Sequence, residues 1–250
     1  VAISFVKKVT GNGTTIAVTS VTVGNLLTLL TSYYRGTRTG AAETVPTDSN
    51  GTASTAVAGI PGTITAGVDE AGASIFYVQN AAAGTHTLTP QNNQSKNYTL
   101  IEWTGAATAG AFDVSSRAST NTTAHTSGPT NSTGTTANAD ALALASISLG
   151  ASPGNVNVGF TDPVAANFSS QQKIVDDAGN IATFHVSKIL TSTGVYWATY
   201  AWTDNEATQG SNRVIAVFSS AGGAVAANVP LTIYGHDGMG GGRQRGSLIH

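Results

Sequence analysis

The sequence predicts an all-β fold: an antiparallel β-sandwich, jelly-roll or lectin-like, with an extended Gly-rich C-terminal tail. Three observations predict it. Val, Ile, Thr, Tyr, Phe and Trp gather in short runs of period two, the runs are separated by Gly, Asn, Asp, Ser and Pro, and 40% of the 250 residues are apolar, enough for a core. Taken in order, the predicted strands are Ile3–Val9, Thr14–Ser20, Asn25–Arg35, Thr63–Asp69, Ser74–Asn80, Gly84–Pro90 and Tyr98–Thr104. A second set follows: Phe112–Arg117, Asn121–Thr126, Ala141–Leu149, Asn155–Phe160, Ile181–Leu190, Tyr196–Thr203 and Arg213–Ser219. Gly11-Asn12-Gly13 and Ala178-Gly179-Asn180 supply turn residues that tolerate positive φ, and Ala83-Gly84 is read as closing a hairpin. A short helix is the alternative for Asn25–Leu30 and Ala139–Leu149. The strict alternation of Ala-Leu-Ala-Leu-Ala favours strand.

The chain carries an internal echo. Gly-Asn-Leu-Leu-Thr-Leu-Leu at 24–30 is matched by Ala-Asp-Ala-Leu-Ala-Leu-Ala at 139–145, and Ser-Ile-Phe-Tyr-Val-Gln-Asn at 74–80 by Ala-Thr-Phe-His-Val-Ser-Lys at 182–188. Both pairs lie about 110 residues apart. One large sandwich over 1–220 is the preferred reading, and two tandem sandwiches, 1–106 and 107–220, the alternative. Residues 36–62 form a long Thr/Ala/Gly-rich stretch, expected to be a surface excursion. Residues 221–250 are expected to form an extended arm. Its final part, from Gly235, is so poor in large side chains that it has little means of fixing itself to its own fold.

Composition excludes several function classes. The chain has 11 Lys+Arg against 13 Asp+Glu, a net charge of −2, which argues against a nucleic-acid partner held by phosphate neutralisation. Charged residues are only 10%, so 37 Thr, 23 Ser and 17 Asn must supply the polar surface. With no Cys there is no thiolate nucleophile, disulfide or cysteine-ligated metal. The longest apolar run, Leu26-Leu27-Thr28-Leu29-Leu30, is far too short for a helical span, so no membrane partner is expected.

Residues suited to catalysis are scattered. Glycoside hydrolysis needs two facing carboxylates. Asp69-Glu70 and Asp176-Asp177 read as turns, Asp204 and Glu206 stand near a strand end, and Glu102 lies in a strand beside Trp103, with the core-facing member of that pair left open. The histidines at 86, 125, 185, 236 and 250 show no metal-ligand spacing, and there is no Gly-x-Ser-x-Gly elbow. His86 and His185 are expected to be exposed or hydrogen-bonded strand residues. Asp176, Asp177 and Asn180 offer oxygens for calcium, but lack the register of a calcium-binding loop. No cofactor, and no enzymatic activity, is expected. Tyr196, Ala198, Tyr200 and Trp202 share one predicted face, read as core. Tyr33, Tyr34 and Trp103, at strand ends, are the candidate glycan contacts. Seven Asn-x-Ser/Thr sequons are too few above chance to argue glycosylation.

Gly24-Asn25-Leu26-Leu27, the run Tyr77-Val78-Gln79-Asn80-Ala81-Ala82-Ala83-Gly84-Thr85-His86-Thr87, and Glu102-Trp103-Thr104-Gly105 resemble motifs of a broad group of jelly-roll, lectin-like β-sandwich proteins. These are found in bacteriophage particles and bacterial extracellular proteins. Ala139–Leu142 and Trp197-Ala198 extend the similarity over roughly residues 3–220. The motifs are structural and bring no catalytic residues. The resemblance implies a non-enzymatic virion protein, a capsid decoration or a tail- or fibre-associated component, whose partners are other virion proteins and copies of itself. His236, Asp237, Arg243, Arg245, Leu248 and Ile249 form the expected assembly arm. A carbohydrate-binding adhesin or receptor-binding module that holds host-surface glycans, in the virion or secreted, is the alternative.

Overall fold

A computed structural model describes residues 1–35, 44–56, 70–90, 95–120, 127–129, 133–150, 159–165, 168–176, 181–203 and 210–222. The described residues form sixteen strands and no helix. The first eight are β1 (Ser4–Gly11), β2 (Ile16–Val21), β3 (Leu26–Arg35), β4 (Thr47–Asp48), β5 (Thr55–Ala56), β6 (Glu70–Val78), β7 (Gly84–Thr89) and β8 (Ser95–Thr104). The others are β9 (Phe112–Thr120), β10 (Ser127–Pro129), β11 (Asp140–Gly150), β12 (Gly159–Ala165), β13 (Ser169–Asp176), β14 (Ile181–Thr191), β15 (Thr199–Thr203) and β16 (Gly210–Ser219). Every pairing is antiparallel. The fold is therefore a β-sandwich.

The strand order explains the echo. One five-stranded sheet runs β1-β8-β3-β6-β5 and the other, read from its far edge, β9-β16-β11-β14-β13; the two three-stranded sheets run β2-β7-β4 and β10-β15-β12. Adding eight to each strand number of the first half reproduces the second. The chain thus repeats one eight-stranded arrangement twice, and the echoed segments fall on β3 with β11 and on β6 with β14.

The five-stranded sheets of the two halves pack face to face. Alternation places Leu26, Leu30, Ile75, Ile101 and Trp103 on the inner face of the first, against Leu142, Leu144, Val214, Ala216 and Phe218 of the second. The outer face of the first sheet carries Leu27, Leu29, Phe76, Val78 and Leu100, covered by Ile16, Val18, Val21 and Leu88 of β2 and β7. Both faces of β3 are buried, and its sequence is accordingly a near-continuous apolar run. On the outer face of the second sheet, Ala145, Ile147, Phe184 and Val186 pack with Ala198 and the half-buried Tyr196.

Several expectations are corrected. Ala83-Gly84 does not close a hairpin: β6 pairs with β3 and β5, whereas β7 pairs with β2 and β4, so the connection carries the chain from one sheet to another. The stretch 36–62 is not wholly loop, because Thr47–Asp48 pairs with β7 and Thr55–Ala56 with β6. Predicted strands at Thr63–Asp69 and Asn121–Thr126 lie outside the described residues. Tyr196 to Ala198 precede strand β15 rather than belonging to it, and Trp197 is exposed.

Candidate functional site

The three strands' ends that carry the quoted motifs meet in one place. Gly24, at φ 88°, donates its N–H to Ala81 O at 2.9 Å, and Ala81 N–H returns a bond to Asn25 O at 2.8 Å. Glu102 then ties this turn to β8. Its Oε1 accepts Thr22 N–H at 2.9 Å and Asn25 Nδ2–H at 2.6 Å, and Oε2 lies 3.1 Å from Lys7 Nζ. Burial pushes the Glu102 carboxyl upward, but the hydrogen bonds from Thr22 and Asn25 and the Lys7 charge outweigh it and hold the group below its ordinary range. Trp103 turns to the opposite face and donates Nε1–H to Thr28 Oγ1 at 2.9 Å. Gly105 closes the motif at φ 80°, where a Cβ would stand 2.3 Å from Ala2 O. Glu102 is a brace, and among the described residues no second carboxylate faces it in the manner of a glycosidase.

The two strand histidines are braces as well. His86 Nδ1 lies 2.6 Å from Asp48 Oδ2, both side chains being fully buried, while Nε2 lies 2.9 Å from Ala82 O and 3.1 Å from Asn50 Nδ2. The pair fastens β4 onto β7. His185 sits between the two halves. Ser32 Oγ is 3.1 Å from its Nε2, Thr99 Oγ1 is 2.7 Å from its Nδ1, and Thr99 donates to Gln172 Oε1 at 2.6 Å. Ser32 Oγ also donates to Ile147 O at 2.9 Å, so the hydroxyl's proton is placed without the ring. Full burial pushes the imidazole down to about 3. Ser146 and Ser148 add hydroxyl bonds to Thr31 O and Tyr33 O across the same interface.

A serine beside a histidine invites comparison with nucleophilic catalysis, but the chemistry is missing. The group behind His185 is Thr99–Gln172 rather than a carboxylate, so nothing stabilises an imidazolium. Ser32, Thr99 and His185 are each 0% exposed, and no substrate reaches them. With 23 Ser and 5 His, the sequence held no signal to single out this pair.

One surface feature of ligand-like dimensions among the described residues is a groove of about 580 Å³ lined by Phe5, Trp103, Ser169, Gln171, Ser187, Lys188, Ile189 and Thr191. It lies between β1 and β13, edge strands of the two five-stranded sheets, which Lys8 links by donating from Nζ to Gln171 O at 2.6 Å. Phe5 is 50% exposed and meets Trp103 edge-on, with centroids 5.9 Å apart and planes at 80°. Gln171 Nε2 donates to Ser187 Oγ at 2.8 Å.

Among the candidate glycan contacts, Tyr33 is 1% exposed, which corrects its expected place at the surface, whereas Trp103, 2% exposed, is among the residues lining the groove. Tyr33 is packed over Gly72, and Trp103 meets Phe5 in the groove lining. The Tyr34 side chain lies outside the described residues, as do the side chain of Asp176 and all of Asp177 and Asn180. Among the described residues no three His, Asp or Glu side chains converge in a way that could hold a metal ion. His236, Asp237, Arg243, Arg245, Leu248 and Ile249 also lie outside them. Reading by residue type missed Phe5 and Gln171; the available sign for Phe5 was a large aromatic in an edge strand containing Lys7 and Lys8.

Comparison with protein-family models, curated proteins and solved structures returned no match.

Proposed function

We propose that the chain is a non-enzymatic structural protein of a bacteriophage particle. It is a capsid decoration or a tail- or fibre-associated component, located in the virion, that docks on neighbouring subunits and copies of itself through its C-terminal arm. The observation that carries this reading is the use made of Glu102, His86 and His185. Each is closed inside the fold and joins strands or halves together. Support also comes from the weakly charged Thr/Ser/Asn composition and from motifs that resemble those of phage-associated sandwiches. The arm's Gly-rich sequence permits close backbone approach to a neighbour, and Arg243 and Arg245 suit acidic groups there.

Deletion of residues 236–250 is expected to leave a folded protein with unchanged circular dichroism that no longer enters particles. Gel analysis of purified particles reads the result, and full incorporation of the truncated chain would remove the arm from this account.

A second reading, a carbohydrate-binding adhesin, is favoured by the groove at Phe5. There a half-exposed aromatic ring stands among amide and hydroxyl groups.

A further inference from the structure

We infer that the groove between β1, β13 and β14 is a binding site for a neutral saccharide. The inference rests on the carbohydrate reading and gives it residues and a ligand class. Its volume, about 580 Å³, falls within the range of small-molecule sites. The lining divides by chemistry. Phe5 and Ile189, 50% and 41% exposed, form an apolar floor, and Ser169, Gln171, Ser187 and Thr191 provide hydroxyl and amide groups. A sugar ring has the same division: a face of C–H groups that packs on an aromatic ring, and a rim of hydroxyls that donate and accept.

Charge decides the class. Among the described residues no carboxylate lines the groove, and Lys188 in its lining and Lys8 beside it are both engaged elsewhere. Lys188 holds its ammonium over the rings of Phe168 and Tyr196, 5.8 and 6.0 Å from their centroids. Lys8 donates to Gln171 O. An uncharged ligand is what such a lining complements.

The backbone argues against the competing occupant, an extended peptide added to a sheet edge. Both edge strands are bulged at the groove: β1 between Phe5 and Lys7, β13 between Ser170 and Gln172. A bulge interrupts the ladder that an added strand needs and re-aims the side chains beside it. The platform is also held in place, because Phe5 rests on Trp103, and Trp103 is fixed by its bond to Thr28. Such support limits the ordering cost of binding.

The test is calorimetric titration of the full chain with maltohexaose, cellohexaose and mannohexaose as neutral probes and a galacturonic acid hexamer as the acidic one. Binding of at least one neutral probe with Kd below about 10 mM is expected, weakened about tenfold or more by Phe5→Ala and by Gln171→Ala and retained in Phe5→Trp. Both sites are partly exposed, and circular dichroism checks folding; if one variant fails to fold, the other carries the comparison. Neutral binding indifferent to both variants would overturn the groove while leaving the carbohydrate reading intact. Binding of the acidic probe alone overturns the ligand class, and no binding of any probe overturns both.

Discussion

Lowering the pH from 7 towards 5 is expected to destabilise the chain because of His185. The sign follows from its position. In the unfolded chain the imidazole takes a proton near pH 6.5, whereas in the folded chain burial pushes the group down to about 3. Between these values the unfolded state binds a proton that the folded state refuses. The neutral ring's contribution is therefore complete above about pH 6.5 and declines as the pH falls towards 3. Each unit of pH in that window removes about 1.4 kcal/mol, so the whole effect is of order 5 kcal/mol, a large share of a typical domain's stability. The Ser32, Thr99 and Gln172 groups around the ring are neutral and cannot offset an imidazolium.

Glu102 adds a loss of the same sign lower down. Its carboxyl is held below the ordinary range, so its contribution is present above about pH 4.5 and is lost as the pH drops through the folded value. The interval from pH 6.5 to 5 thus separates the histidine from Glu102. Urea unfolding at pH 7, 6 and 5 should give a steadily falling midpoint in the wild type and a clearly smaller fall in His185→Gln. NMR of the wild-type ring provides an independent check, with no titration expected above pH 4. A ring that titrates near pH 6.5 would contradict the buried, neutral assignment.

Gly72→Ala is expected to be among the most damaging single substitutions in the chain. Tyr33 and Gly72 are directly paired across β3 and β6, and the tyrosine ring lies over the glycine. A Cβ at position 72 would stand 2.0 Å from Tyr33 Cζ and 2.4 Å from its hydroxyl oxygen. Tyr33 is 1% exposed, so the ring has little room to yield. A loss of about 3 kcal/mol or more in denaturant unfolding is the expected outcome. The cause can be separated from backbone propensity with a double-mutant cycle, since removing the ring with Tyr33→Ala should make Gly72→Ala nearly harmless. Additive losses would mean that the ring is not what requires the glycine.

The sequence's period of two was sufficient for the fold class, and β3, β7 and β11 were legible nearly to their ends. Strands β4, β5 and β13 were not. The first two contain two residues each, and Ser-Ser-Gln-Gln-Lys-Ile-Val-Asp lacks an apolar alternation because β13 is an edge strand. Pairing is set by contacts distant in sequence, which is why Ala83-Gly84 resembled a hairpin locally although its flanking strands belong to different sheets. Alternation also says which residues share a face, not whether that face is covered. Tyr33, placed before a polar stretch, looked exposed, and the core-facing member of Glu102 and Trp103 was left open, yet both sides of their sheet are covered by other layers. The near-continuous apolar run Leu26–Leu30 was the available sign of that double burial. The groove was illegible for a related reason, since it joins Phe5 to residues more than 160 positions away.

The proposal that the chain is a particle component docking through its last fifteen residues is tested most directly by photo-cross-linking in intact particles. A photoreactive residue placed at Leu248 should yield adducts with a neighbouring virion protein or a second copy of the chain, identified by mass spectrometry of purified particles. Adducts confined to the same chain, or absence of the chain from the particles, would contradict it.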